Sequence, residues 1–215
     1  MKQQAREKQE ELKIPQTERG RARRKKILMV AERLFEEQGA RVSISSIIRE
    51  TGGSLSDVYK WFGCKDDLFW GALCERLFLV RSSFEAIRFS GTSVAEDITT
   101  LVEHIASNIP FKLLSVALLE TNVLGSRRQE ALTRIEDCTN VPITNIFQRI
   151  RLERGVSFRL TDKELAYIVV RYFRGVLVEM ALGAENCVQR LADSKRLLVS
   201  ILNSFIVCDA KDSSL

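Results

Sequence analysis

The sequence predicts an all-α fold, and three observations carry that prediction. Apolar residues recur at i, i+3 and i+4 along most of the 215-residue chain, and no segment alternates with the period of two that a half-buried strand requires. Proline occurs only 3 times and glycine 11 times, too few for a many-turned β architecture. The glycines and small polar residues also fall where helices would start and stop.

Residues 1–18 alternate Lys, Arg, Glu and Gln with little apolar content, which predicts a flexible arm. From Arg21 a first helix is expected, with Ile27, Val30, Ala31, Leu34 and Phe35 on one face and Gly39 at its end. Ser43 opens a short second helix with Ile44, Ile47 and Ile48 inward, closed by Gly52-Gly53. Ser54 is a suitable N-cap for a third, Leu55 to Phe62. After Gly63, Asp66 and Asp67 favour the first turn of a long helix running towards Ser90-Gly91. Helices are expected over 93–109 and 111–124, separated by Pro110, and over 126–154, where Pro142 should kink or split the element. Thr161-Asp162-Lys163-Glu164 has the capping-box form. Behind it Leu165, Ile168, Val169, Tyr172, Phe173, Val176, Leu177 and Met180 form one stripe, and a last helix spans about Val188 to Val207.

Composition and charge narrow the function. The net charge of +5 is uneven: Met1–Lys65 carries 15 Lys+Arg against 9 Asp+Glu, and the remainder carries 18 against 19. Six of the eight residues of Arg19–Lys26 are basic, which suggests an anion-binding N-terminal module with nucleic acid as partner, or else a solvated tail. No run of about 18 apolar residues reads as a membrane span, and the polar first 26 residues lack a signal core, so a cytoplasmic protein is expected. Five cysteines without CxxC spacing argue against a disulfide framework or a zinc site. One histidine and no phosphate-binding glycine loop leave little for catalysis, so no enzymatic activity, metal or cofactor is expected.

Two short helices joined by a glycine-containing turn and preceded by a longer one make a helix-turn-helix. The segment from Arg24 to Leu73 resembles the N-terminal domain of TetR-family transcriptional regulators. Ile27-Leu28, Ala31, Leu34-Phe35, Gly39, Ile47, Gly52, Ser54, Tyr59, Phe62, Lys65 and Leu68 match in order and spacing. Four positions depart from the family pattern. Gly53 stands in place of valine, removing an apolar plug and loosening the turn. Ile48 replaces alanine, Cys64 replaces a capping serine, and Asp57 replaces a threonine that commonly contacts phosphate.

On a helical wheel Leu55, Val58 and Phe62 face inward, and Ser56, Asp57 and Lys60 occupy an outward arc about 100° wide. Lys60 suits a guanine edge; Asp57 either accepts from a cytosine amino group or merely repels phosphates. Leu55 reads as core on the wheel, whereas the resemblance places it near bases. The resemblance makes Tyr59 and Lys65 phosphate contacts, against the plainer readings of a packed aromatic and a surface cation. Ser43, Ser45 and Ser54 complete the candidate DNA-binding set. The basic cluster at Arg19–Lys26 either reaches the backbone or a minor groove, or makes no fixed contact.

The expected organisation is an arm over 1–18, a helix-turn-helix DNA-binding domain over 19–65 with its motif at about 43–62, and a helical effector-binding and dimerisation domain over 66–215. His104, Phe111, Leu114, Leu118 and Phe147 are candidate pocket residues, with ordinary core packing as the alternative. Cys138, Cys187 and Cys208 read as small apolar fillers. The family's four-helix dimer interface would fall on Leu165, Val169, Tyr172, Val176 and Met180, with Leu198, Leu202 and Phe205. The resemblance implies a homodimeric repressor of a pseudo-palindromic duplex operator, released by an apolar or amphipathic small molecule. An architectural DNA-binding protein of the same fold without an effector is the alternative.

Overall fold

Among the described residues of the computed structural model, 15–119, 124, 127–182 and 187–207, there are nine α-helices and one two-stranded ladder. The helices are α1 (Glu18–Gln38), α2 (Ile44–Thr51), α3 (Leu55–Phe62), α4 (Lys65–Glu85), α5 (Val94–Asn108), α6 (Phe111–Leu119), α7 (Arg128–Arg154), α8 (Asp162–Ala181) and α9 (Cys187–Asn203). Residues 1–14, most of the expected arm, lie outside the described set. The chain divides into two compact units. One takes it up to Arg76 together with Lys112–Ala131, and the other takes Leu77–Phe111 together with Leu132 onward.

In the first unit α1 starts three residues earlier than the periodicity predicts. Thr17 caps it, its Oγ1 accepting from the Gly20 amide at 3.1 Å. The apolar stripe Ile27, Leu28, Ala31, Leu34 and Phe35 is buried, and Gly39 ends the helix with φ +60°, a conformation glycine adopts freely. Ile47 of α2 and Val58 and Phe62 of α3 are buried in the same unit. This compact unit takes in α4 as far as Arg76: Leu68, Phe69, Trp70, Ala72 and Leu73 are also buried, and Phe69 packs edge-on to Phe35, centroids 4.8 Å apart. Arg127 joins them, 2.8 Å from the Asp67 carboxylate and over the Trp70 ring.

In the second unit the capping box forms as its spacing predicts. The Glu164 amide donates to Thr161 Oγ1 at 3.3 Å, and the Thr161 amide donates to Glu164 Oε2 at 2.8 Å. α7 runs through Pro142 without splitting, although the proline withholds the amide that the preceding turn would use. The final helix stops at Asn203, not Val207. Ile206–Val207 (β2) pairs antiparallel with Ser157–Phe158 (β1), Phe158 opposite Ile206, and the Arg159 amide donates to the Phe205 carbonyl at 2.8 Å. This ladder is a strand pair the sequence reading did not anticipate.

The stripe expected to face a second copy is turned inward. Leu165 and Val169 of α8 and Leu198 and Leu202 of α9 are fully buried within the chain, and Val176 is nearly so. Tyr172 and Phe205 are half-buried, and the Met180 side chain lies outside the described residues. The strongest apolar stripe of a helix marks the surface that needs burial, and here α9 packs against α5 and α8 within the same unit. The apolar residues of α8 left exposed are Tyr167 and Val178, followed by Leu182 just beyond the helix; α9 adds Leu197.

Candidate nucleic-acid interface

The helix-turn-helix is assembled by two serine caps and an ion-pair frame. Ser43 Oγ accepts from the Ser46 amide at 3.0 Å and Ser54 Oγ accepts from the Asp57 amide at 3.1 Å, each satisfying an amide that the helix leaves unpaired. Their oxygens are therefore engaged in holding α2 and α3, while Ser45 and Ser56 are exposed and make no such cap. Arg33 of α1 pairs with Glu37 on its own helix and with Glu50 of α2.

α3 projects Leu55, Ser56, Tyr59 and Lys60 outward. Leu55 is 46% and Tyr59 48% exposed, which makes both available to an approaching surface and leaves Val58 and Phe62 as the inward pair. The wheel placed Leu55 inward, but a first-turn residue lies beyond the edge of the core that Val58 and Phe62 close. Lys65 is half-buried, its Nζ donating to the Ala40 carbonyl at 2.7 Å, so one of its three N–H groups ties α4 to the turn that follows α1.

Asp57 is not a free acceptor. Its Oδ2 lies 3.4 Å from Arg23 Nη2, and the same Arg23 nitrogen donates to the Gly52 carbonyl at 3.4 Å. A Cβ placed on Gly53 would fall 1.4 Å from that nitrogen. At Gly53 a guanidinium fills the space that a side chain would take. Lys26 donates to the Thr51 carbonyl at 3.2 Å, and Arg24 lies over the Phe62 ring, 5.0 Å from its centroid. Three of the six cations of Arg19–Lys26 are thus turned onto the helix-turn-helix, and the cluster is the first turns of α1. Arg19, Arg21 and Lys25 stay exposed on it. Sequence reasoning had Arg23 only as one member of the basic cluster Arg19–Lys26 and missed its pairing with Asp57 and the Gly52–Gly53 turn.

The residues proposed for a pocket are packed. Phe147 is fully buried edge-on against Phe158, Phe111 lies against Phe173 with centroids 5.9 Å apart, and Leu114 is buried. The Leu118 side chain lies outside the described residues. His104 is half-buried beside Phe84, its Nε2 2.9 Å from Ser83 Oγ, and burial holds its pKa below the ordinary imidazole value. A cleft of about 220 Å³ does open beside Pro142, with Phe84 and Ile146 as apolar walls and Arg81 and Arg149 among its polar lining. Cys138 is buried, as its reading as a filler requires, whereas the Cys187 side chain and Cys208 lie outside the described residues. Among the described residues no helix is long and apolar enough to cross a membrane.

Compared by sequence, the chain matches no family model and no curated protein. Compared by structure, it has the fold of TetR-family transcriptional regulators. E. coli NemR in its reduced form superposes with a TM-score of 0.70 at 13% identity, over 87% of this chain and all of that one. A TetR regulator from Haloarcula marismortui gives 0.69 at 16% identity, covering 86% and 99% of the two chains. One from Chloroflexus aurantiacus gives 0.68 at 18%, covering 88% and 98%. The resemblance seen in residues 24–73 thus extends, at the level of fold, over most of the chain.

Proposed function

We propose that this protein is a sequence-specific, duplex-DNA-binding transcriptional regulator of the TetR type, acting as a homodimeric repressor that a small molecule releases from its operator. The observation that carries the reading is α3 itself: a serine-capped helix with Leu55, Ser56, Tyr59 and Lys60 exposed, beside a basic α1. Lys60 is suited to donate to guanine O6 and N7, Leu55 to touch a thymine methyl, and Tyr59 to donate its hydroxyl to a phosphate. Arg19, Arg21 and Lys25 supply sequence-independent attraction to the backbone.

A two-fold dimer would set the two α3 helices in major grooves about one helical turn, or a multiple of it, apart. The exposed apolar residues Tyr167, Val178 and Leu182, with Leu197, form the surface best suited to pair with its copy. The cleft beside Pro142 is the better candidate for an apolar or amphipathic effector, since its walls are open where Phe111 and Phe147 are closed. α4 belongs to both compact units, which makes it the natural element for linking effector to DNA.

The test is a mobility-shift titration with the DNA upstream of the protein's own coding region, repeated at several salt concentrations. A specific complex whose log affinity falls linearly with log salt is expected. Equal affinity for that fragment and for random duplex would reject sequence-specific regulation.

A further inference from the structure

We infer that Arg23 is a positioning residue for DNA reading, acting through Asp57 and the Gly52–Gly53 turn; the inference rests on α3 being the recognition helix. Arg23 belongs to α1, yet its guanidinium serves the other two helices of the motif. It donates to the Gly52 carbonyl at the end of α2 and faces the Asp57 carboxylate in the first turn of α3, each at 3.4 Å. The same guanidinium also fills the space beside the turn. Gly53 has φ +105°, and the volume that any side chain would need there is occupied by the Arg23 guanidinium, whose Cζ would lie 2.5 Å from the added Cβ. Position 53 lacks a side chain and position 23 supplies one.

The arrangement answers an electrostatic difficulty. Asp57 lies on the arc of α3 that would enter the groove, where an uncompensated carboxylate would be repelled by phosphates. Its place in the first turn sets its charge beside the positive end of the helix dipole. Arg23 cancels the charge without removing the residue. In the free protein such a pair, 37% and 36% exposed, adds little to stability. Beside DNA its loss would matter more, because the freed carboxylate then faces a polyanion. Arg23 therefore acts on binding more than on folding.

The experiment is a double-mutant cycle on the full chain: wild type, Arg23→Gln, Asp57→Asn and both together, titrated by fluorescence anisotropy against the upstream duplex at four salt concentrations. Thermal unfolding is followed in parallel, and Arg23→Lys is included in case the glutamine variant folds poorly. Arg23→Gln should weaken binding about tenfold or more and Asp57→Asn should change it by less than about threefold, while the double variant should return to within about threefold of wild type. The salt slope of the double variant should match that of wild type, because Arg23 spends its charge on Asp57 and not on phosphate. A double variant whose loss equals the product of the single effects would overturn the inference. So would a double-variant salt slope shallower by about 0.9, the mark of one lost phosphate contact. Absence of specific binding by wild type would overturn the DNA-binding reading instead, and the two failures are told apart by that first titration.

Discussion

Asp97 and Arg154 form a two-point ion pair in which one partner is almost wholly removed from water. Arg154 Nε lies 2.6 Å from Asp97 Oδ2 and Nη2 lies 3.0 Å from Oδ1, with the Asp97 side chain 1% exposed. The same Nη2 donates to the Gly91 carbonyl at 2.6 Å, so the C-terminal end of α7 is pinned to the segment that leads into α5. A parallel fork of this kind matches guanidinium to carboxylate and satisfies both oxygens. Removing the arginine alone would strand a buried carboxylate. Arg154→Met should therefore lower the midpoint of chemical denaturation, and Asp97→Asn in the same chain should recover part of the loss. An unchanged midpoint for Arg154→Met would show that water reaches Asp97 more freely than its burial implies.

Gly53 offers a second stability test, because strain and collision act together there. Gly53→Val places a β-branched side chain at φ +105° and in the space held by the Arg23 guanidinium. The cost should be about 1–3 kcal/mol from the backbone alone. Displacing Arg23 should also lower DNA affinity as Arg23→Gln does. Restoring the valine common in the family should thus harm this chain, and a Gly53→Val variant of unchanged or raised melting temperature would contradict the packing described.

His104 predicts the direction of a pH effect. The Ser83 hydroxyl donates to the Val80 carbonyl at 2.7 Å, so its oxygen accepts from His104 Nε2 at 2.9 Å, which assigns the neutral Nε2–H tautomer. Burial depresses the pKa in the folded chain, so as pH falls through about 6.5 the unfolded chain takes up the proton first. This histidine's contribution is fully present above that pH and diminishes below it, until the depressed folded pKa is passed. Denaturation midpoints between pH 8 and 5 should fall, and His104→Gln should flatten the trend. An unaltered slope in that variant would assign the acid sensitivity to other groups.

Cys64 caps α4 after all, though weakly. Its Sγ accepts from the Asp67 amide at 3.4 Å, as an N-cap side chain does, and its thiol donates to Asp67 Oδ2 at 3.2 Å. Burial pushes the thiol pKa up, with the Asp67 carboxylate adding to the shift, so the thiol should alkylate slowly at neutral pH. Cys64→Ser should gain about 0.5–1 kcal/mol from a shorter, stronger cap. Destabilisation by the serine would mean that the thiol's packing outweighs its hydrogen bonds.

The sequence disclosed those features whose cause is local. Helix periodicity, the caps at Ser43 and Ser54 and the Thr161–Glu164 box all follow from residues within four positions of one another. The pairing of Arg23 was hidden because its partners stand 29 and 34 positions away, and an ion pair over that distance leaves no periodic trace. Gly53 was visible, but from its own neighbourhood it reads as a missing plug. The plug comes from α1. The ladder of Ser157–Phe158 with Ile206–Val207 is too short to alternate. The α8 stripe was read correctly as one face, but periodicity does not say what that face packs against: the buried contacts are the chain's own.

That last point redirects the test of assembly. Counting 100° per residue around α8, the buried Leu165, Val169, Phe173, Val176 and Leu177 lie on one side. Tyr167, Arg171, Gly175, Val178 and Leu182 share an opposite arc about 80° wide. Arg171 lies in the middle of it, and Gly175 lies at its edge with nothing within 4 Å of where its Cβ would be. A glycine inside a helix costs about 0.5–1 kcal/mol relative to alanine, and the open space at Gly175 leaves room for the helix–helix approach that the proposed dimer requires. Charge at Val176 would be buried in the protomer and should unfold it rather than split a dimer. Charge at Val178 or at Leu197 of α9, 38% and 55% exposed, should leave helicity intact while light scattering shows the mass fall from dimer to monomer. Operator affinity should drop with it, by about tenfold or more, because the two reading helices would no longer bind as a linked pair. A dimer that survives both Val178→Glu and Leu197→Glu must be held by some other surface, and that arc of α8 would then have no part in assembly.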